Sequence, residues 1–165
     1  MKLIFLDGFS GETVGQLLAL EETHRIDSLV LAFEQAIAQK AAREGSESLT
    51  IEEQTVLAVE ALEREVNNGG YLQFFVNSSV EFAPIIVGAL RRIGCPSVAA
   101  ITESAISALR VPALSVGAIQ RVIDDDDDIR DKVLGECDGR YFECRESIED
   151  RLFSFIKANK SKIDI

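Results

Sequence analysis

The chain is short of the residues that most often do chemistry. Among 165 residues there is one histidine, His24, so no second imidazole can complete a zinc set. Three cysteines, Cys95, Cys137 and Cys144, are odd in number and lack CxxC spacing. That excludes a disulfide framework and points to a reducing compartment. Glu136, Asp138 and Glu143 crowd Cys137 and Cys144, and neighbouring carboxylates raise a thiol's pKa and blunt it as a nucleophile. Gly-rich phosphate loops of the P-loop or dinucleotide type are missing. The expectation is a protein with no catalytic residues, no cofactor and no metal.

Long apolar runs are also missing. Lys2 is followed only by Leu3-Ile4-Phe5-Leu6 before Asp7-Gly8, too short for the apolar region of a secretory signal. No stretch has the length needed to cross a bilayer, so a soluble, cytoplasmic protein without a membrane partner is expected. Positive charge is scarce as well: 17 Lys and Arg stand against 28 Asp and Glu, for a net charge of -11. Such a balance repels DNA, RNA and anionic lipid and suits a basic partner. Apolar residues make up 47% of the chain, ordinary for a globular protein and too many for a disordered one.

What is present reads as helix. Leu29, Phe33, Ile37 and Ala41 form one stripe over 27–43, with Gly45 to end it. Thr50 and Glu53 make a capping box that opens a helix carrying Val56, Val59, Leu62 and Val66 inward. That helix meets Asn67-Asn68-Gly69-Gly70, where Gly69 is expected to stop it in the left-handed conformation. A short aromatic helix follows with Tyr71, Leu72, Phe74 and Phe75. Pro84 and Pro96 sit at the starts of two more, Ser115 caps another, and the last begins near Ser147. Only Leu3–Leu6 reads as a strand or extended segment, and it has no evident partner. With neither internal repeat nor Pro/Gly/Ser-rich linker, residues 1–165 are expected to form one all-α domain, a compact multi-helix array.

Charge is segregated along the sequence. Residues 1–65 carry -8, residues 66–123 carry +2, residues 124–150 carry -8 and the last fifteen carry +3. The densest block is Asp124, Asp125, Asp126, Asp127 and Asp128, with Asp131 close behind. As a helix, this block would place Asp124, Asp127 or Asp128, and Asp131 on one face, at intervals of about 5–6 Å. A carboxylate row of that kind approximates the phosphates of a DNA strand. Glu53, Glu60 and Glu63 offer a second row on the preceding amphipathic helix. The alternative for the aspartates is a solvated loop in which one residue, such as Asp128, caps the next helix. A calcium loop fails, because the sixth and twelfth positions counted from Asp124 are Ile129 and Gly135 where Gly and Glu are needed.

One polar cluster stands out, Asn67-Asn68-Gly69-Gly70-Tyr71-Leu72-Gln73-Phe74-Phe75-Val76-Asn77. Gln73 and Asn77 are four apart and share a helical face, next to Asn67 and Asn68. Neutral amides hydrogen-bond a ligand or satisfy nearby backbone, but they are not general bases. The same stretch carries a family resemblance. Ala58 through Gly70, then Gln73-Phe74-Phe75 and Asn77-Ser78, the Ala83–Gly94 segment and Asp138-Gly139-Arg140-Tyr141-Phe142 are similar to the bacterial DNA-mimic protein family. The likeness covers roughly 49–159 and leaves 1–48 less clearly matched.

The resemblance implies an all-α fold, a tendency to form homodimers, and an acidic surface that occupies the DNA-binding face of a basic protein. A transcriptional regulator and a histone-like protein are the partner types it implies. It also implies that Asn67, Asn68, Gly69, Gly70, Gln73, Phe74, Phe75 and Asn77 are structural. The charge map, and not the motif, nominates Asp124–Asp128, Asp131, Glu53, Glu60 and Glu63 as the partner surface. Two other classes stay open: a ligand-binding or enzymatic pocket around Asn67, Gln73 and Asn77, and an immunity-type inhibitor of a basic toxin.

Overall fold

A computed structural model describes all of residues 1–165. It is all-α: eight α-helices joined by short turns, with no sheet. In chain order these are α1 (Val14–Leu18), α2 (Ile26–Glu44), α3 (Ile51–Val76), α4 (Ile86–Arg92), α5 (Pro96–Ala108), α6 (Val116–Ile123), α7 (Asp128–Glu143) and α8 (Ile148–Ala158). No helix is long and apolar enough to cross a membrane. The chain forms two compact units, Met1–Glu60 with Ser147–Ile165, and Ala61–Glu146.

In the first unit α2 packs against α1 and α8. The expected stripe is there: Leu29, Phe33 and Ile37 are fully buried, and Leu17, Leu152, Phe153 and Ile156 join them. Gly45 closes α2 at φ 91°, a conformation that costs glycine little. The Thr50–Glu53 capping box forms as read: the Thr50 hydroxyl accepts from the Glu53 amide at 3.1 Å, and Glu53 Oε2 accepts from the Thr50 amide at 3.0 Å. Glu53 does more than cap, however. Its side chain is fully buried and also accepts from Lys40 Nζ at 2.9 and 3.1 Å and from the Asp164 amide at 2.8 Å. One carboxylate therefore ties α2, the start of α3 and the C-terminal segment together. Before α1 the chain is neither helix nor sheet, and Ile4 makes an isolated parallel bridge with His24.

In the second unit α5 packs on α4 and α7 around Tyr71, Phe74, Phe75, Leu90, Val98, Leu134 and Cys137. Pro96 occupies the first turn of α5, where its missing amide is no loss. The neighbouring free amides of Ser97 and Val98 donate to the two oxygens of Glu146, each at 2.9 Å. α3 continues through Val76 but is broken inside. Gly69 is extended at φ -160° and Gly70 has φ 76° with ψ -173°. The expected stop is therefore in place but shifted: Gly70, not Gly69, takes the positive φ. The ψ of Gly70 puts it in a region essentially confined to glycine. An added Cβ there would also run into the Asp138 carboxylate.

Candidate partner-binding surface

The aspartate run is not helical. α6 ends at Ile123, Asp124 follows as its C-terminal cap, and Asp125 and Asp126 bend through a loop. α7 then starts at Asp128 with Asp127 as its N-cap, accepting the Arg130 amide at 3.0 Å. The cap is thus one residue earlier than expected. Five like charges in a row favour this outcome, because a loop lets the side chains splay apart while α7 takes two carboxylates into its electropositive first turn.

Two arginines from other positions divide the aspartates into two groups. Arg110, a non-glycine residue at φ 52° after α5, pairs with Asp127. Arg130 is only 5% exposed. It donates through Nε to Asp131 at 2.9 Å and through Nη1 to the Val122 carbonyl in the last turn of α6. The Asp127 carboxyl is held below its ordinary pKa, chiefly by the Arg130 amide bond, with the Arg110 and Arg130 charges adding to it. Asp127 and Asp131 are therefore structural in part, whereas Asp124, Asp125, Asp126 and Asp128 project outward and exposed. Leu109, Arg110, Val122, Asp125, Asp126, Asp127 and Arg130 line an open cleft of about 360 Å³ beside them.

The second acidic row does not exist as a surface. Glu53 is fully buried and Glu60 is 8% exposed, which leaves only Glu63 half-exposed. The spacing was right for one helical face, but that face turns inward. Glu53 is compensated there by Lys40, as a buried carboxylate must be.

The amide cluster is occupied within the chain. Gln73 Nε2 and Asn77 Nδ2 both donate to Glu65 Oε2, at 3.0 and 2.8 Å. Asn67 Nδ2 donates to the Glu63 carbonyl at 2.7 Å, and Asn68 is exposed. Past the break, the Tyr71 amide donates to Asp138 Oδ1 at 2.7 Å. Asp138 thereby caps the renewed helix from α7. Phe74 and Phe75 are fully buried and meet edge to face at 5.4 Å between ring centres. The Tyr71 hydroxyl shares a 2.8 Å hydrogen bond with Thr102, and burial pushes its phenol well up. The signature is a clasp around a broken helix, with Glu65 on one side of the break and Asp138 on the other.

Sequence reading missed Arg110, Arg130, Glu65 and Glu146 as partners of these groups. Glu65 and Asp138 carried a signal only through their places in the Ala58–Gly70 and Asp138–Phe142 matches. A family model described as DMP19-like protein matches residues 47–159. No curated protein matches the chain.

Proposed function

The chain belongs to the DMP19-like protein family, a family of DNA mimics, and from that premise we propose that it is an acidic protein-binding module that competes with DNA for a basic protein. The observation that carries this reading is the loop between α6 and α7. Asp124, Asp125 and Asp126, with Asp128 at the head of α7, are exposed and lack an internal cation, while neighbouring Asp127 and Asp131 are held by Arg110 and Arg130. The two arginines fix the loop ends, so the outward carboxylates are presented on a defined frame. Docked on Lys and Arg side chains, they gain attraction that steers encounter and weakens as salt rises. DNA itself is repelled by the net charge of -11. An immunity-type role toward a basic toxin would use the same carboxylates and differ only in partner.

The test is competition for a histone-like nucleoid protein bound to labelled duplex DNA. The wild-type chain is expected to displace the DNA, with an inhibition constant that worsens as salt is raised. Changing Asp124, Asp125, Asp126 and Asp128 together to Asn should weaken displacement by about tenfold or more and flatten the salt dependence. Asp127 and Asp131 are left alone because they hold the frame. Equal displacement by the folded variant would remove this loop as the interface. Direct binding of the chain to DNA would overturn the reading altogether.

A further inference from the structure

Arg110 holds an unusual place for an arginine. It lies just past the C-cap of α5, and its amide donates to the Ser107 carbonyl at 3.2 Å. Glycine is the usual residue there, because the backbone turns left-handed. Arg110 adopts φ 52°, alone among the non-glycine residues of the chain, and a Cβ makes that conformation costly. What the arginine gains in return is slight. Its guanidinium pairs with Asp127 beside the cleft that both residues line. The side chain is 62% exposed, however, and an ion pair so open to water is worth little. Nor does the loop frame need it. Asp127 caps α7 through Oδ1, which accepts the Arg130 amide, whereas Arg110 reaches Oδ2. Arg130 is anchored separately, on Asp131 and the Val122 carbonyl. A strained residue thus contributes a cation that the free fold can do without.

We propose that Arg110 is an internal stand-in for a partner's cation: a lysine or arginine side chain of the basic protein enters the cleft and takes Asp127 Oδ2 as Arg110 leaves it. This rests on the reading of the loop as a docking surface for such a protein. The lining suits the guest. Leu109 and Val122 offer apolar wall to a methylene stem, while Asp125, Asp126 and Asp127 offer carboxylates to its charged head. Exchange keeps Asp127 paired and brings a cation beside Asp125 and Asp126, which have none in the free chain. Arg110 then acts as a built-in competitor. A lone cation gains little by displacing it, whereas a protein that also brings charges to Asp124 and Asp128 gains the difference.

Two variants that remove the charge test the exchange. Arg110→Gly relieves the backbone and Arg110→Asn tolerates a positive φ, so both should melt at or above wild type. Both should bind hexa-arginine about two- to fivefold more tightly in calorimetry, the worth of one exposed ion pair. They should displace DNA from the histone-like protein better by a similar factor. Arg121→Gln, exposed on α6, removes the same charge near the loop and should give a smaller gain. In wild type, the magnetic resonance signals of the Arg110 side chain should move to those of a free guanidinium as hexa-arginine is added, while those of Arg130 hold. Gains no larger than that of Arg121→Gln, or Arg110 signals unmoved at saturation, overturn the exchange; the DNA-competition reading then stands if wild type still displaces DNA. A wild type that displaces no DNA, with variants that still gain on hexa-arginine, upholds the exchange and sinks that reading instead. Melting temperatures lowered in both variants would make the pair a structural clasp and overturn the proposal.

Discussion

Glu53 shows how much one residue's surroundings decide. By spacing it belongs with Glu60 and Glu63 on an acidic stripe, yet it is buried and accepts from Lys40, from the Thr50 amide and from the Asp164 amide. Removing one member of such a pair leaves the other charged and dry, which is the costly case. Lys40→Met alone should destabilise the protein by about 3–5 kcal/mol in urea unfolding. The double change Lys40→Met with Glu53→Gln should cost less than the sum of the two singles, because no uncompensated charge remains. Additive costs would mean that the two side chains do not depend on each other.

At the scale of elements, the broken α3 was legible in part. Asn-Asn-Gly-Gly announces an interruption, but which glycine takes the positive φ depends on Asp138, which arrives from α7 beyond the reach of any local pattern. Gly70→Ala should therefore destabilise by more than about 1 kcal/mol, from backbone strain and collision with Asp138 together. Gly69→Ala should cost less, since an added methyl meets chiefly the movable end of Gln73. The opposite ranking in thermal melts would place the strain at Gly69.

Helix α7 was harder to read. Its inward stripe is Arg130, Leu134, Cys137 and Tyr141, with a single aliphatic residue among them, so hydropathy barely marks it. The long stripes of α2 and α3 and the caps at Thr50 and Ser115 were legible because each depends only on neighbours in sequence. In the candidate site the exposed carboxylates were legible as charge, whereas the arginines that sort them come from distant positions. Asp127→Ala should lower the melting temperature at neutral pH through the lost cap on α7. The Asp127 carboxyl is depressed when folded, so its contribution is complete above the unfolded value of about 3.9 and fades as pH falls through the lower folded one. The stability gap between wild type and variant should shrink in that acid window. A gap unchanged down to the lowest pH at which both fold would mean the ionised carboxylate is not what holds the cap.

For the whole molecule, the charge map overstates the acidic surface. Of the -8 in residues 124–150, Asp127 and Asp131 pair with arginines, while Asp138 is turned to the Tyr71 amide past the break in α3 and Glu146 to the amide end of α5. What remains outward on the loop is concentrated and uncompensated, and partly opposed by its own scaffold. Asp124 sits at the C-terminal end of α6, where the helix dipole disfavours an anion, while Asp128 sits in the first turn of α7, where the dipole favours one. Opposite signs follow. Asp124→Asn should stabilise the free protein and Asp128→Asn should destabilise it, each by about 0.3–1 kcal/mol at low ionic strength. Combining Asp124→Asn with Asp125→Asn and Asp126→Asn relieves repulsion further, so the triple variant should melt above wild type in dilute buffer. Raising salt to about 0.5 M screens the loop and should close most of that difference. A triple variant that melts at or below wild type in dilute buffer would show the three carboxylates to be compensated within the free chain, leaving them little charge to offer a basic partner.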